Sequence, residues 1–322
     1  MREFNLVSAH SVEEACSLLK DGAKILAGGT DLVGGMKRDI YPEQYYPKFL
    51  VNIQGLQELD YIKEEDGFIK IGAMTKLRDV AENNIVKEKL TALSQAAEHT
   101  ASPNLRRMGT IGGNICQENR CWYYRSDNNY YACKMKGGKK CYAAAGDNRY
   151  HSIYGAVNGC FAVNPSDTAP ALLAFGAKIR TSERTIEATD FWAIDVCKST
   201  VLNDGEMVLE IIIPIPKPST KSSFQKFAKR KTIDFAIVNC AVVIAEEAKV
   251  VLNGVYSRPY RATKAEEILR GNKIDEQLAK QAGETIEDGS KPLKANKFKV
   301  QEAKVLVERT ILECILESEV CP

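Results

Sequence analysis

Ala27-Gly28-Gly29-Thr30-Asp31 and Thr110-Ile111-Gly112-Gly113-Asn114 are the two stretches on which the fold of this chain turns. Each is a glycine pair flanked by a hydroxyl residue and by a carboxylate or carboxamide. Lacking a Cβ, a glycine pair lets backbone N–H groups approach a ligand closely and reach positive φ. Successive amides turned inward form a concavity that binds anions. Two such concavities in one chain suit a diphosphate held from both sides, which is the centre of a dinucleotide. Either pair alone is equally compatible with a tight turn that binds nothing.

Spacing narrows the choice of dinucleotide. A Rossmann site needs a strand, then G-x-G-x-x-G, then a helix. Neither stretch has that spacing. The first comes closest, because Gly34-Gly35 follows it, but the second has no counterpart in a Rossmann fold. FAD on a different frame is the best candidate. Farther on, Ser166-Asp167 offers a carboxylate for a ribose or ribityl hydroxyl, or a helix N-cap; both roles suit these residue types.

Composition excludes several classes. The chain has 322 residues, 44% hydrophobic and 27% charged, which gives room for two or three domains. A net charge of +2 makes no case for nucleic acid. The N-terminal residues are charged and amphipathic without an apolar signal core, and the apolar run from Val208 to Pro216 is far too short to span a bilayer. The expectation is a soluble, cytoplasmic protein. The three histidines, His10, His99 and His151, have no metal-ligand spacing, and neither G-x-S-x-G nor a Walker A motif occurs. No catalytic residue is assigned, and any chemistry belongs to the cofactor.

Periodicity and capping residues predict a mixed chain. Helices are expected at 12–19 behind Ser11, at 75–82 behind Thr75, at 90–99 and at 169–175. Strands are expected at 24–27, 49–53, 68–73 and from 177. After a Pro- and Ser-rich linker at 214–222, strands at 223–228, 236–245 and 250–256 and helices at 262–269, 275–282 and 299–316 form what reads as a separate domain. Residues 117–160 show little periodicity. A loop of that length in a compact domain is either disordered or stapled from within.

Cysteines supply the staple. Five of the ten run Cys116-x4-Cys121-x11-Cys133-x7-Cys141-x18-Cys160. In a reducing compartment such a group points to a metal site rather than to disulfides. The spacing is too open for the close pairs of structural zinc, whereas four thiolates on long loops can hold an iron–sulfur cluster. Cys116 follows the second glycine stretch directly and is assigned to the flavin domain. That leaves Cys121, Cys133, Cys141 and Cys160 as metal ligands, with Lys134, Lys136, Lys139 and Lys140 to offset their charge. A set of free thiols in a variable loop fits the same spacing. Cys16, Cys197, Cys240, Cys314 and Cys321 read as ordinary buried or terminal thiols.

AGGTDL at 27–32, TIGGN at 110–114 and SD-x-x-PAL at 166–172 together resemble the FAD-binding subunit of the molybdenum hydroxylases, a family that includes the xanthine dehydrogenase flavin domain and the carbon monoxide dehydrogenase medium subunit. The resemblance covers nearly the whole chain, with Gly254, Pro259, Arg261, Glu266 and Gly271 echoing the C-terminal flavoprotein domain. It implies an α+β fold. A two-part FAD-binding domain of the vanillyl-alcohol-oxidase/p-cresol-methylhydroxylase type would occupy 1–215, with parts 1–55 and 56–215 and a cysteine-rich insertion at about 117–160. A linker at 216–222 and a smaller α+β flavoprotein domain at 223–322 would follow. By that resemblance Ile25, Leu26, Ala27, Gly28, Gly29, Thr30, Asp31 and Leu32, with Thr110, Ile111, Gly112, Gly113 and Asn114, wrap the FAD. Thr100, Asp167, Val208 and Lys226 also line it, with Gln225 and Lys229 as neighbours that could replace Lys226.

The insertion is similar to that of the 4-hydroxybenzoyl-CoA reductase β subunit, which carries an extra [4Fe–4S] cluster. Its Cys141–Cys160 interval is longer here and is filled by Asn148-Arg149-Tyr150-His151. The implied role is electron transfer. A molybdopterin-binding large subunit would hold the organic substrate, and a small subunit would hold two [2Fe–2S] clusters. This chain would exchange electrons with an external carrier, NAD or ferredoxin. Two other readings stand beside it: a self-contained flavin oxidoreductase of the same fold, and a zinc-stapled interaction module without redox activity.

Overall fold

In a computed structural model, residues 1–20 and 22–316 are described. Cys321 lies outside them. The chain opens with a small parallel sheet of β1 (Asn5–Ser8), β2 (Lys24–Leu26) and β3 (Phe49–Asn52), in the order β1-β3-β2. Helix α1 (Val12–Leu18) crosses between the first two strands, and α2 (Leu32–Lys37) follows the third element of this series, β2. Ser11 starts α1 as its sequence predicts. Its Oγ accepts the Glu14 N–H at 3.1 Å, while Glu14 Oε2 accepts the N–H of His10, just before the cap, at 2.7 Å, so one orphan amide of the first turn and one of the approach to it are satisfied together.

A five-stranded antiparallel sheet forms the middle of the molecule. Its strands are β4 (Ile62–Glu65), β5 (Phe68–Gly72), β6 (Lys178–Thr181), β7 (Thr185–Glu187) and β8 (Val208–Pro214), in the order β4-β5-β8-β6-β7. The apolar run that begins at Val208 is therefore its central strand, with Ile211 opposite Ile71 and Ile213 opposite Ile69, all four fully buried. Between β5 and β6 lie α3 (Leu77–Glu82), α4 (Asn84–Lys89), α5 (Thr91–Glu98), α6 (Pro103–Arg106), α7 (Ile111–Ile115) and α8 (Thr168–Ala174), and α9 (Ala188–Phe191) follows β7. One expectation fails here. Thr75 does not cap α3: the helix begins two residues later, and Thr75 Oγ1 instead exchanges hydrogen bonds with the Tyr61 backbone at 3.0 and 3.2 Å.

The last sheet is antiparallel, β12-β11-β10-β9, with β9 (Lys221–Phe227), β10 (Val238–Ile244), β11 (Ala248–Asn253) and β12 (Tyr260–Arg261). Alternation assigns its faces. Phe224, Ala241, Val243 and Val251 join the core of the middle sheet, against α5 and α8. Val238, Cys240, Val242, Val250 and Leu252 face the other way, onto α10 (Thr263–Leu269), α11 (Glu276–Glu284) and α12 (Phe298–Leu316). Both faces are covered, so β10 reads as a continuous apolar strand. No helix among the described residues is long and apolar enough to cross a membrane.

Candidate flavin site and cysteine-rich loop

The two glycine stretches meet. A Cβ on Gly28 would lie 2.1 Å from the Met108 carbonyl oxygen and 2.9 Å from Gly109 Cα, so only glycine lets the first turn lie against the approach to the second. Their amides are used differently. Among the described residues, the N–H groups of Gly28, Gly29, Thr30 and Asp31 donate to no backbone carbonyl. In the second stretch the four amides after Thr110 are committed within the fold. Ile111 donates to Thr75 O, Gly112 to Ala73 O, Gly113 to Thr110 Oγ1 and Asn114 to Thr110 O. Thr110 is the N-cap of α7, and Gly112 is needed because a Cβ there would stand 2.8 Å from Ala73 O. The matched pair of concavities expected from the sequence resolves into one turn with free donors and one capped helix start.

Different side chains hold each stretch. Asp31 accepts from Arg120 of the cysteine-rich loop at 2.7 Å and forms an ion pair with Arg125 of the same loop at 2.9 Å. Arg120 Nε and Arg125 Nη1 are buried without a hydrogen-bond partner on the two guanidinium groups that hold that carboxylate, and Arg120 stacks on the Phe235 ring at 4.0 Å. Free amides and spare guanidinium nitrogens are the donor set an anionic diphosphate requires. Beneath them Glu118 accepts from the Tyr124 hydroxyl at 2.9 Å, and burial raises its pKa. β2 and the residue after it split their side chains: Ile25 and Ala27 pack on the first small core, whereas Leu26, with Leu32 of α2, packs on the core that contains Cys121, Cys133 and Cys160.

The second stretch is tied into the interior. Asn114 Oδ1 accepts from Ser166 Oγ at 2.6 Å and Thr168 Oγ1 at 2.7 Å. Ser166 Oγ also accepts the Ala169 N–H, so it supplies the cap of α8 and leaves Asp167 for another task. Asp167 forms a buried ion pair with Lys226 of β9 at 2.7 Å and accepts from Asn239 of β10 at 2.7 Å. Lys226 also donates to the carbonyl of His99, next to Thr100, whose own hydroxyl turns back to Ala96 O. Thr100, Asp167 and Lys226 are thus brought together. Gln225 points elsewhere, to Glu313. Val208 opens β8 opposite Thr181, in a strand that packs against α7. Asn239 and Asn253, which donates to Asn164 Oδ1 and Ser166 O, had no signal in the sequence beyond being polar residues in apolar strands.

The loop at 117–160 has only three short 3-10 turns, at Asp127–Asn129, Lys134–Lys136 and Tyr142–Ala144. Aromatic rings pack where regular structure is missing: Tyr123 on Tyr131 at 5.0 Å, Tyr131 on Tyr142 at 4.9 Å, Trp122 on Tyr150 at 4.9 Å. The four assigned cysteines gather. Cys160 and Cys141 share a hydrogen bond that pulls one thiol down and pushes the other up, and Cys121 feels the charge of Cys133 and Cys141 while Cys160 feels that of Cys121. Cys116 stands apart on the core of the middle sheet, where burial pushes it up to about 12. Nine cysteines are free among the described residues. As the side chains stand, no group of three or more His, Cys, Asp or Glu among the described residues is arranged to hold a metal ion.

Two nitrogens face the thiols. Lys136 is buried, its Nζ has no hydrogen-bond partner, and Cys133 and Cys121 favour its charge against the burial that lowers its pKa. His151 Nε2 lies 3.2 Å from Cys121 Sγ. Burial and then the charge of Lys299 push that imidazole down to about 4, so it is neutral. A buried lysine that has the Tyr124 ring at 5.6 Å but no hydrogen-bond acceptor, and a ring nitrogen against a sulfur, fit an anionic group held by thiolates.

A flavoprotein built from a glycine-turn domain and an antiparallel sheet capped by helices is what this fold and site define. The chain matches the family described as the FAD binding domain in molybdopterin dehydrogenase over residues 2–216, and the CO dehydrogenase flavoprotein C-terminal domain over residues 223–314. It is 31% identical over 308 residues to the aldehyde oxidoreductase FAD-binding subunit PaoB of Escherichia coli (strain K12), covering 92% of each chain. It is 26% identical to the glyceraldehyde dehydrogenase medium chain of Sulfolobus acidocaldarius, over 90% of this chain and 89% of that one. The solved carbon monoxide dehydrogenase from Hydrogenophaga pseudoflava that lacks the Mo-pyranopterin moiety superimposes with a TM-score of 0.74 at 25% identity, covering 98% of both chains. The chain belongs to the family of FAD-binding subunits of molybdopterin dehydrogenases, and its fold is an FAD-binding domain followed by a C-terminal flavoprotein domain.

Proposed function

We propose that this chain is the FAD- and [4Fe–4S]-carrying electron-transfer subunit of a hetero-oligomeric molybdopterin-dependent hydroxylase or reductase of the 4-hydroxybenzoyl-CoA reductase type. Its partners are a molybdopterin-binding large subunit and a small subunit with two [2Fe–2S] clusters. An external carrier, NAD or ferredoxin, takes or gives the electrons. One observation carries the reading: the loop that gathers Cys121, Cys133, Cys141 and Cys160 is bolted to the first glycine turn through Arg120, Arg125 and Asp31. Electron transfer falls off steeply with distance, and that contact joins the cysteine loop to the turn proposed to hold the flavin.

FAD supplies the redox chemistry, passing electrons singly or in pairs. The protein's part is to bind and orient it. The amides of Gly28 to Asp31 and the spare nitrogens of Arg120 and Arg125 suit the diphosphate. Thr100, Asp167, Val208 and Lys226 are proposed to line the rest of the site, with the Asp167 carboxylate fixed in place by Lys226 and Asn239. Among the described residues the thiols form no single-ion site, and Cys141 and Cys160, now in hydrogen-bond contact, must part for each to bind a different iron. Lys136 offsets their charge. Free thiols suit a reducing, cytoplasmic compartment. We place the domain division at 1–215, 216–222 and 223–322.

The test is a visible spectrum with iron and sulfide assays on the anaerobically purified chain. Flavin bands with about four irons are expected, and Cys133→Ser should remove the iron while leaving flavin largely bound. Flavin without iron overturns the cluster. Zinc in its place and no colour supports the interaction module instead.

A further inference from the structure

The Asn148–His151 segment that lengthens the cysteine loop ends on a residue that touches both the thiol group and the C-terminal helices. His151 Nε2 is 3.2 Å from Cys121 Sγ. A thiolate can only accept, so the proton between them sits on Nε2 and the contact is N–H···S. The ring has no freedom to turn away: Trp122 packs on it edge-on at 6.4 Å and Tyr123 at 6.1 Å, and it is 1% exposed.

Its backbone is fixed from the far end of the chain. Lys299, fully buried in α12, donates to His151 O at 3.0 Å and to Gly254 O at 2.7 Å. Asn296, also fully buried, donates to His151 O and Ser152 O, both at 3.0 Å. Ser152 and Ile153 then bond to Val255 O, extending the attachment to the turn after β11. Burying a lysine is costly, and this one's two acceptors are backbone carbonyls, one of them that of His151.

We propose that His151 is a positioning residue that donates an N–H···S hydrogen bond to Cys121 and thereby raises the reduction potential of the cluster, and that Lys299 and Asn296 hold it in place. The inference rests on the reading that Cys121 is a cluster ligand. A hydrogen bond to a ligand sulfur withdraws charge from it and favours the reduced, more negative cluster. The C-terminal flavoprotein domain then acts on the iron centre without contributing a ligand.

EPR-monitored redox titration of the full-length chain, with iron and flavin assayed in every sample, tests this. His151→Leu is expected to lower the reduced-to-oxidised ratio at fixed ambient potential by about tenfold, ~59 mV for one electron. His151→Gln, which keeps a donor, should recover part of the shift. Asn296→Ala, which touches neither ring nor sulfur, should move the ratio the same way by less; no change there overturns the role given to the C-terminal helix. An iron-loaded His151→Leu protein with an unchanged potential overturns the proposal and leaves the cluster standing. Wild-type protein without iron overturns the cluster itself and this inference with it. If His151→Leu loses its iron, unaltered protein labelled with 15N at histidine decides: a hyperfine coupling to the reduced cluster supports the bond, and none overturns it.

Discussion

The two glycine stretches look alike in the sequence and work differently in the fold. The first is a turn with free amides, supported by charged side chains from an irregular loop. The second is a capped helix start whose amides from Ile111 to Asn114 are used, anchored through Asn114, Ser166 and Thr168 to a buried ion pair. A glycine pair tells that backbones approach closely; it does not tell whether the approaching partner is a ligand or another strand. The first stretch should therefore govern flavin, and the second stability.

The largest expected effect is on the second side. Lys226→Met leaves Asp167 charged and buried with Asn239 alone, which costs ~3–5 kcal/mol. The urea midpoint should fall accordingly, and Lys226→Met with Asp167→Asn should fall less than Lys226→Met alone, since the double variant removes the orphan charge. A midpoint that barely moves would mean that the pair is not what holds the second stretch.

Next come the glycines themselves. Gly28→Ala drives a methyl into the Met108 carbonyl, and Gly112→Ala drives one into that of Ala73. Overpacking of this kind costs about 1–3 kcal/mol, with Gly28 at the upper end because the overlap is with unyielding backbone at 2.1 Å rather than 2.8 Å. The readout that separates them is flavin per folded chain, measured beside the thermal midpoint. Gly28→Ala should lose flavin out of proportion to stability, and Gly112→Ala the reverse. Equal losses would erase the distinction.

Local rules made most of the fold legible. Ser11 with Glu14, the alternation in β5, the continuous apolar run of β10, and the composition shift after Pro214 each mark an element where it is found. Thr75 shows where such rules stop: a hydroxyl suited to a cap was drawn off by Tyr61, a partner fourteen residues away. The site was legible as residue types and not as pairings. Asp31, Asp167 and Lys226 stand out in the sequence, but nothing local says that Asp31 takes arginines from residues 120 and 125 or that Asp167 and Lys226 take each other. Within the cysteine loop the aromatic packing was visible in principle, as Trp122, Tyr123, Tyr124, Tyr130, Tyr131, Tyr142 and Tyr150 crowd into thirty positions or so without period. Lys299 gave no warning, because a lysine on a helix is read as solvated.

The smallest effect is also the sharpest test of the difference between the stretches. Thr110 Oγ1 accepts the Gly113 N–H at 3.1 Å and so satisfies an amide that an anion would otherwise attract. Thr110→Ala removes that cap at a cost of ~1 kcal/mol, and Thr110→Ser should restore it. Flavin affinity should change little, because the hydroxyl is occupied within its own helix. Should Thr110→Ala instead shed flavin while the midpoint holds, the hydroxyl faces the ligand, and the second stretch grips the diphosphate as the first does.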